Sequence, residues 1–375
     1  MKYDVSYLSI DSVQEGVGSS QIQSLLFQLA KSELTLNLIT FEKNAPSTDL
    51  IGQFKVRGIS WTPLPFQDSG ALGGMKRVSR LLKEVPESTV LHCRSDLPSL
   101  AGLLSDKGSV LWDVRSLWRE QRKRMNPRQV NPIINFTLRQ IENYVATNAL
   151  GMNTLTNAIV PILEERHKSL PEHRSVIPTS VDLERFKLIP FPKGRFRMLV
   201  SGNLNQNYDT KLLNELIFTF RSQVDLEVIW ASDVSASTQE PTYDKKLSIR
   251  HEDMPQLIAS CHFGVALLQK SEMESLAAAV PTKVAEFLAV GRPVIVSSEL
   301  GDFDQIFRDR TAGLTLSSDR DLTLICEEMI QLLTDPKTSS ECRNLAENYF
   351  SLVTSATKYI ELYSKLVGNT DRESN

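Results

Sequence analysis

The sequence predicts an α/β protein of two doubly wound, Rossmann-like parallel-sheet domains, on three observations. Short apolar strand patterns alternate with helical patterns through the first half of the chain, the rhythm of βαβ units. The same rhythm resumes in the second half. Between them lies Lys187-Leu-Ile-Pro-Phe-Pro-Lys-Gly194, whose prolines and glycine separate strand-rich regions and suit a linker. At 375 residues, 41% hydrophobic and 23% charged, the chain is long enough for two full cores and ordinary in composition for a globular protein. The expected division is residues 1–190, residues 191–350 and a terminal stretch 351–375.

In order, the first strand is expected near Val5 to Ile10 and the first helix near Ser20 to Lys31, where Ile22, Leu25, Leu26 and Leu29 share one helical face. Leu34, Leu36 and Leu38 alternate as a strand does, so the next strand runs near Leu34 to Thr40. Further strands are expected near Val56 to Trp61, Val90 to Cys93, Val110 to Val114, Gly151 to Thr156 and Arg174 to Ile177. Past the linker they fall near Phe196 to Ser201, Leu226 to Ala231, Leu247 to Arg250, Phe263 to Leu268, Pro293 to Ser298 and Gly313 to Leu316. From about Asp319 the pattern is helical only, and the last helix, Leu352 to Leu366, puts Tyr359, Leu362, Tyr363 and Leu366 on one side. The polar terminus from Gly368 is expected to fray.

Composition excludes several classes. A net charge of -3 argues against general nucleic-acid binding. Cys93, Cys261, Cys326 and Cys342 lie far apart with no CxxC spacing and read as buried thiols, neither a disulfide frame nor a zinc site. No HExxH, GxSxG or Walker loop is present, and no metal or other cofactor is expected. The first ten residues enter a strand pattern at once and are too short and polar for a signal peptide, and no run of about 18 apolar residues exists to span a membrane. A cytoplasmic protein is the expectation.

The richest segment is Pro281-Thr-Lys-Val-Ala-Glu-Phe-Leu-Ala-Val-Gly-Arg-Pro-Val-Ile-Val-Ser297, which reads as loop, helix, glycine stop and buried strand. Pro281 suits the first helical position and Gly291 the C-terminal cap, while Lys283 and Glu286 lie one turn apart at the helix start. There, free amides and the dipole favour an anion, so a phosphate and a polyol could be held together. A plain i,i+3 surface ion pair would have the same spacing. In the first half, Glu15-Gly-Val-Gly-Ser-Ser20 follows the first strand, and Gly16 and Gly18 would let backbone amides approach an anion; a tight strand-to-helix turn would need the same residues. His92-Cys-Arg-Ser95 ends a strand, where ligands meet open α/β sheets, although a lone His there is more often structural.

The segment from Pro281 resembles the donor-site signature of family 4 glycosyltransferases, P-x-K-x-x-E-(Y/F)-L-A-x-G-x-P-V-I. Val176-Ile-Pro-Thr-Ser-Val-Asp-Leu-Glu-Arg-Phe186 is similar to that family's V-I-x-N-G-V-D-x-x-x-F, and Arg197-Met-Leu-Val-Ser-Gly-Asn-Leu204 to the strand and turn that begin its second domain. Together these matches cover most of the chain. The resemblance implies the GT-B fold, two Rossmann-like domains facing a cleft with the final helix crossing back to the first. It also implies a retaining transferase that moves a sugar from a UDP or GDP sugar to a carbohydrate or lipid-linked hydroxyl, in cell-surface polysaccharide or glycoconjugate synthesis.

Residue by residue, the resemblance implies Glu286 on the ribose, Lys283 and the turn at Gly202 and Asn203 on the diphosphate, and Gly16 and Gly18 on the first-domain side of the donor. His92 and Arg94 resemble the family's H-x-(H/R)-S loop, and Leu111-Trp-Asp-Val-Arg-Ser-Leu-Trp-Arg-Glu-Gln-Arg122 is similar to D-M-R-G-(F/W)-W-x-D-E-R, which places Asp113 and Arg115 near the acceptor. Arg94, His92, Asp113 and Arg115 are thus the catalytic candidates. From Arg115 to Arg128 there are six basic residues and one acid, a stretch that suits an anionic acceptor, peripheral contact with the inner membrane face, or simply a solvated loop. The chain departs from the family pattern at Ala278, where the first Glu of the donor motif is usual, and in the neutral Asn203, Asn205 and Gln206 where basic residues are common. These departures keep open a catalytically silent nucleotide-sugar-binding or partner subunit. Another GT-B chemistry, such as sugar-nucleotide epimerisation, is a third reading.

Overall fold

The computed structural model describes residues 2–14, 16, 18–67, 70–117, 119–120, 131–202, 204, 208–232, 240–269, 273–309 and 311–370. It divides into two units, Met1–Pro178 with Leu352–Asn375, and Thr179–Ser351. The first holds β1 (Tyr3–Leu8), β2 (Leu36–Glu42), β3 (Ser60–Pro65), β4 (Ser88–Arg94), β5 (Ser109–Val114), β6 (Gly151–Thr154) and β7 (His173–Val176). They form one parallel sheet in the order β3-β2-β1-β4-β5-β6-β7. The second holds β8 (Phe196–Ser201), β9 (Leu226–Ala231), β10 (Lys245–Leu247), β11 (Phe263–Ala266), β12 (Val294–Ser297) and β13 (Gly313–Leu316), parallel in the order β10-β9-β8-β11-β12-β13. Each sheet reverses its winding once, between β1 and β4 and between β8 and β11. Ligands of open α/β sheets bind at the strand C-termini beside such a reversal.

Helices bury the central strands: β11 and β12 read as nearly continuous apolar runs, while β2 and β9 are buried along their whole length although β2 carries Asn37, Thr40 and Glu42 and β9 carries Glu227. The first core gathers Val5, Leu26, Leu38, Phe54 and Val90 and is completed from the far end of the sequence by Tyr359, Leu362, Tyr363 and Leu366. These four lie on the last helix, Leu352–Thr370, which belongs to the first unit and continues past the Leu366 end expected for it. The second core is built on Met198, Leu216, Phe220, Trp230, Phe263 and Met329.

Several elements differ from expectation for local reasons. The stretch expected to be a strand from Val56 starts instead with the end of a helix, Thr48–Val56, which Ser47 caps by accepting the Leu50 amide at 3.2 Å. Gly58, at φ 71°, stops that helix, and β3 follows at Ser60. Its Pro63 is tolerated because β3 is an edge strand. At the opposite sheet's edge, the Asp244 carboxylate accepts the Val228 amide at 2.7 Å, so β10 pairs from Lys245 and ends at Leu247. The helix expected from Ser20 is entered through a π-helical turn, Gly18–Gln23, and becomes α-helical only over Ser24–Leu29.

The unit boundary lies at Pro178 and Thr179, twelve residues before position 190. Chain 181–190 is bound to the second unit: Val181 bridges to Ser351, and the guanidinium of Arg292 donates to the carbonyls of Ile189 and Pro190 at 2.8 and 2.9 Å. Arg292 is fully buried and also donates to the Cys261 and Ala259 carbonyls, so each of its three guanidinium nitrogens meets a backbone oxygen. Burial lowers its pKa to about 10, which leaves it cationic.

Candidate functional site

In the second unit the helix Thr282–Val290 starts after an uncapped Pro281, the N-cap residue, and stops at Gly291, whose φ of 85° is the left-handed cap that the sequence predicts. Its residues from Val284 to Val290 are buried, and Gly264 admits it closely: a Cβ there would meet the Phe287 ring at 2.3 Å. Packing therefore fixes the helix start against the end of β8. Lys283 lies across that end. Its ammonium donates to the Ser201 carbonyl and, at 3.2 Å, to Tyr208 Oη, and it sits 4.7 Å from the centre of the Tyr208 ring. The cation lowers the Tyr208 pKa, against burial that raises it.

Gly202 takes φ 95°, and a Cβ there would stand 3.4 Å from Lys283 Nζ, so glycine serves both the turn and the approach of the lysine. The Trp230 indole fixes the same turn by donating to the Gly202 carbonyl at 3.2 Å. Two candidates far apart in sequence, Gly202 and Lys283, are thus brought together. Glu286, only 7% exposed, is not paired with Lys283: its Oε1 lies 3.2 Å from His251 Nε2, and Arg185 in turn holds the His251 carbonyl. His251 was outside the sequence candidates, because only the fold brings the turn before β11 to this helix. Ala278 is 2% exposed, while Glu274 is exposed. Asn203, Asn205, Gln206 and Glu272 lie outside the described residues.

In the first unit, Arg94, His92, Asp113 and Arg115 form one connected cluster at the ends of β4 and β5. His92 is 0% exposed. Its Nδ1 meets Tyr363 Oη at 2.7 Å and its Nε2 meets Asp113 Oδ2 at 3.3 Å, with the Tyr7 ring 4.3 Å away. Burial pushes the imidazole below its ordinary pKa, although Asp113 opposes it, so the ring is neutral. Asp113 is equally buried and accepts from Asn153 Nδ2 at 2.9 Å, which Tyr359 Oη also meets at 3.0 Å. Burial would raise its pKa, but Arg115 and His92 hold it well below the usual carboxylate range. The resemblance places Asp113 near the acceptor and His92 in the neighbouring loop; both side chains are fully buried, His92 against Tyr359 and Tyr363 of the last helix.

Arg115 NH1 lies 3.5 Å from Asp113, and Arg94 Nε donates to Asp11 at 2.8 Å. Gly16 and Gly18 have different duties. Gly16, at φ 59°, is exposed and its carbonyl accepts from Ser19 at 3.0 Å. Gly18 is buried where a Cβ would fall 1.6 Å from the Ser12 carbonyl oxygen, so this glycine is required by the chain's own backbone. Glu42 orders the same loop, accepting from Ser12 Oγ at 2.5 Å and the Val13 amide at 3.1 Å. Trp118 and residues 121–130, most of the basic stretch, lie outside the described residues.

No protein-family model matches the chain, and no curated protein matches it. Solved structures do. Sucrose-phosphate synthase from Thermosynechococcus elongatus superposes with a TM-score of 0.72 at 13% identity over 97% of this chain and 99% of that one. HepE from Anabaena, in complex with UDP, gives 0.68 at 13% identity over 97% and 100%. WaaG, a glycosyltransferase of lipopolysaccharide biosynthesis, gives 0.64 at 11% identity over 97% and 100%. Among the described residues no helix is long and apolar enough to cross a membrane, and no cluster of three or more His, Cys, Asp or Glu is arranged to hold a metal. With two parallel sheets of seven and six strands matched over nearly the whole length to glycosyltransferases, the chain has the GT-B fold.

Proposed function

We propose that the protein transfers a sugar from a nucleotide diphosphate sugar to a carbohydrate or lipid-linked hydroxyl, with retention of configuration, in the synthesis of a cell-surface polysaccharide or glycoconjugate. The observation that carries this reading is Lys283 lying across the Ser201–Gly202 turn, at the strand end beside the winding reversal of the second sheet. Its ammonium rests on a neutral backbone oxygen, and an anionic phosphate oxygen in that place would add the attraction of opposite charges. Glu286, one turn further along and oriented by His251, suits a pair of ribose hydroxyls. A solved neighbour of the same fold holds UDP-glucose. Arg94 and Arg115 would contact the acceptor, and the buried His92 and Asp113 would position them. Charge stabilisation on the departing diphosphate and alignment of the two substrates are then the protein's main contributions.

Calorimetric titration of the purified chain with UDP, GDP and ADP and their common sugars tests this. One nucleotide series is expected to bind saturably, with affinity falling at least ~10-fold in Glu286→Ala and Lys283→Ala. Failure of every nucleotide to bind a well-folded sample would defeat the proposal. A second reading, donor binding without turnover, has one structural observation in its favour: position 278 is a buried alanine, so no carboxylate is offered there. Saturable donor binding with neither hydrolysis nor transfer would select it.

A further inference from the structure

Arg94 and Arg115 converge on one neutral oxygen. Gln21 Oε1 accepts from Arg94 NH2 at 2.9 Å and from Arg115 NH2 at 2.7 Å. The carboxylates of the cluster engage other nitrogens, Asp11 at Arg94 Nε and Asp113 near Arg115 NH1, so the two NH2 groups meet at the amide. Arg115 Nε is buried without an acceptor among the described residues. An amide oxygen between two guanidiniums carries no net charge, so an anionic oxygen in its place would add a Coulomb attraction to both cations that the amide lacks. Gln21 also stands in the π-helical turn Gly18–Gln23, a rare conformation that recurs at functional sites.

We propose that Arg94 and Arg115 form a preformed subsite for an anionic oxygen of the acceptor, a phosphate or carboxylate group, and that the Gln21 amide is the resident group which this anion displaces. The word acceptor rests on the glycosyl-transfer reading above; Lys283 and the Gly202 turn, which suit the donor diphosphate, belong to the other unit. Two carboxylates offset the two guanidiniums, so the subsite acts through direct bonds at short range. Its ligand must present an oxygen in the place of Gln21 Oε1. A neutral sugar hydroxyl would exchange one neutral oxygen for another and gain little.

The test uses the full chain with inorganic phosphate as probe, followed by thermal shift and calorimetry, with UDP and GDP titrated in parallel. Phosphate is expected to stabilise the wild type. Gln21→Glu, which supplies both arginines with a tethered carboxylate, should raise the unfolding midpoint without ligand and weaken phosphate binding by roughly tenfold or more. Gln21→Ala, which vacates the position, should keep or strengthen phosphate binding, and both variants should bind nucleotide as the wild type does. Equal phosphate affinity in wild type and Gln21→Glu would overturn the proposal, as would absence of phosphate binding in a sample that binds nucleotide. A parallel loss of nucleotide affinity in Gln21→Glu would reassign the pair to the donor diphosphate and overturn its assignment to the acceptor. Absence of nucleotide binding with the phosphate pattern intact would defeat the donor reading while leaving the arginine subsite standing.

Discussion

His262 shows how one buried side chain sets a pH limit. Its Nδ1 accepts the Arg197 amide at 3.0 Å, a bond that only the neutral ring can make. Burial first, then the Arg292 and Arg197 cations, lower its pKa from 6.5 to about 4. In the window between those values the unfolded chain holds more protons than the folded one, so stability is fully present above about pH 6.5 and lost as the pH falls toward 4. His92, lowered by burial, adds to the loss with the same sign. Thermal midpoints from pH 7.5 to 4.5 are expected to fall less in His262→Asn, whose side-chain oxygen can still accept; an identical fall would acquit His262. At the other buried ring, Tyr363→Phe removes the hydroxyl that meets His92 Nδ1 at 2.7 Å, and should cost about 1–2 kcal/mol by denaturant titration. Residue types at these positions were legible; their partners were not, since His92 and Tyr363 lie 271 positions apart.

Among the elements, the π-helical turn after β1 depends most sharply on one position. Gly18→Ala would drive a methyl group into the Ser12 carbonyl oxygen, and backbone cannot yield as a side-chain end can. We expect a loss of at least ~2 kcal/mol in stability, read by denaturant titration. Unchanged stability would mean that the loop relaxes freely. The helix Thr282–Val290 is the contrasting case: its apolar spacing, glycine stop and following strand could all be read from the chain, because local propensity and burial agree there. The register of β3 and β10 could not, because both are edge strands whose pairing is fixed by Gly58 and Asp244 rather than by apolar pattern.

Across the whole molecule, the last helix is an integral part of the first unit although it follows the second in sequence. Its Tyr359, Leu362, Tyr363 and Leu366 fill a core in which a Cβ at Gly151 would meet Leu366 at 2.7 Å. A chain ending at Ser351 would expose that apolar surface and strand the polar groups of His92 and Asn153 that the tyrosines satisfy. Limited proteolysis is expected to cut residues 1–178 of that truncation rapidly while residues 179–351 resist. Equal resistance of both would mean that the first unit is complete without the helix.

The sequence by itself determined the α/β class, the two repeats of the βαβ rhythm, nearly every central strand and the helix that bears Lys283 and Glu286. These follow from periodicity and burial within a dozen residues, which a linear pattern records. Only the tertiary structure decided that the boundary lies at Pro178, where the buried Arg292 binds residues 189 and 190 to the second unit. It alone also decided that His92 and Asp113 are covered, that His251 orients Glu286 and that Gln21 joins two arginines. Each of these is a meeting of side chains far apart in sequence, and hydrogen bonds of that kind exist only once the sheets have set the register of the strands that carry them.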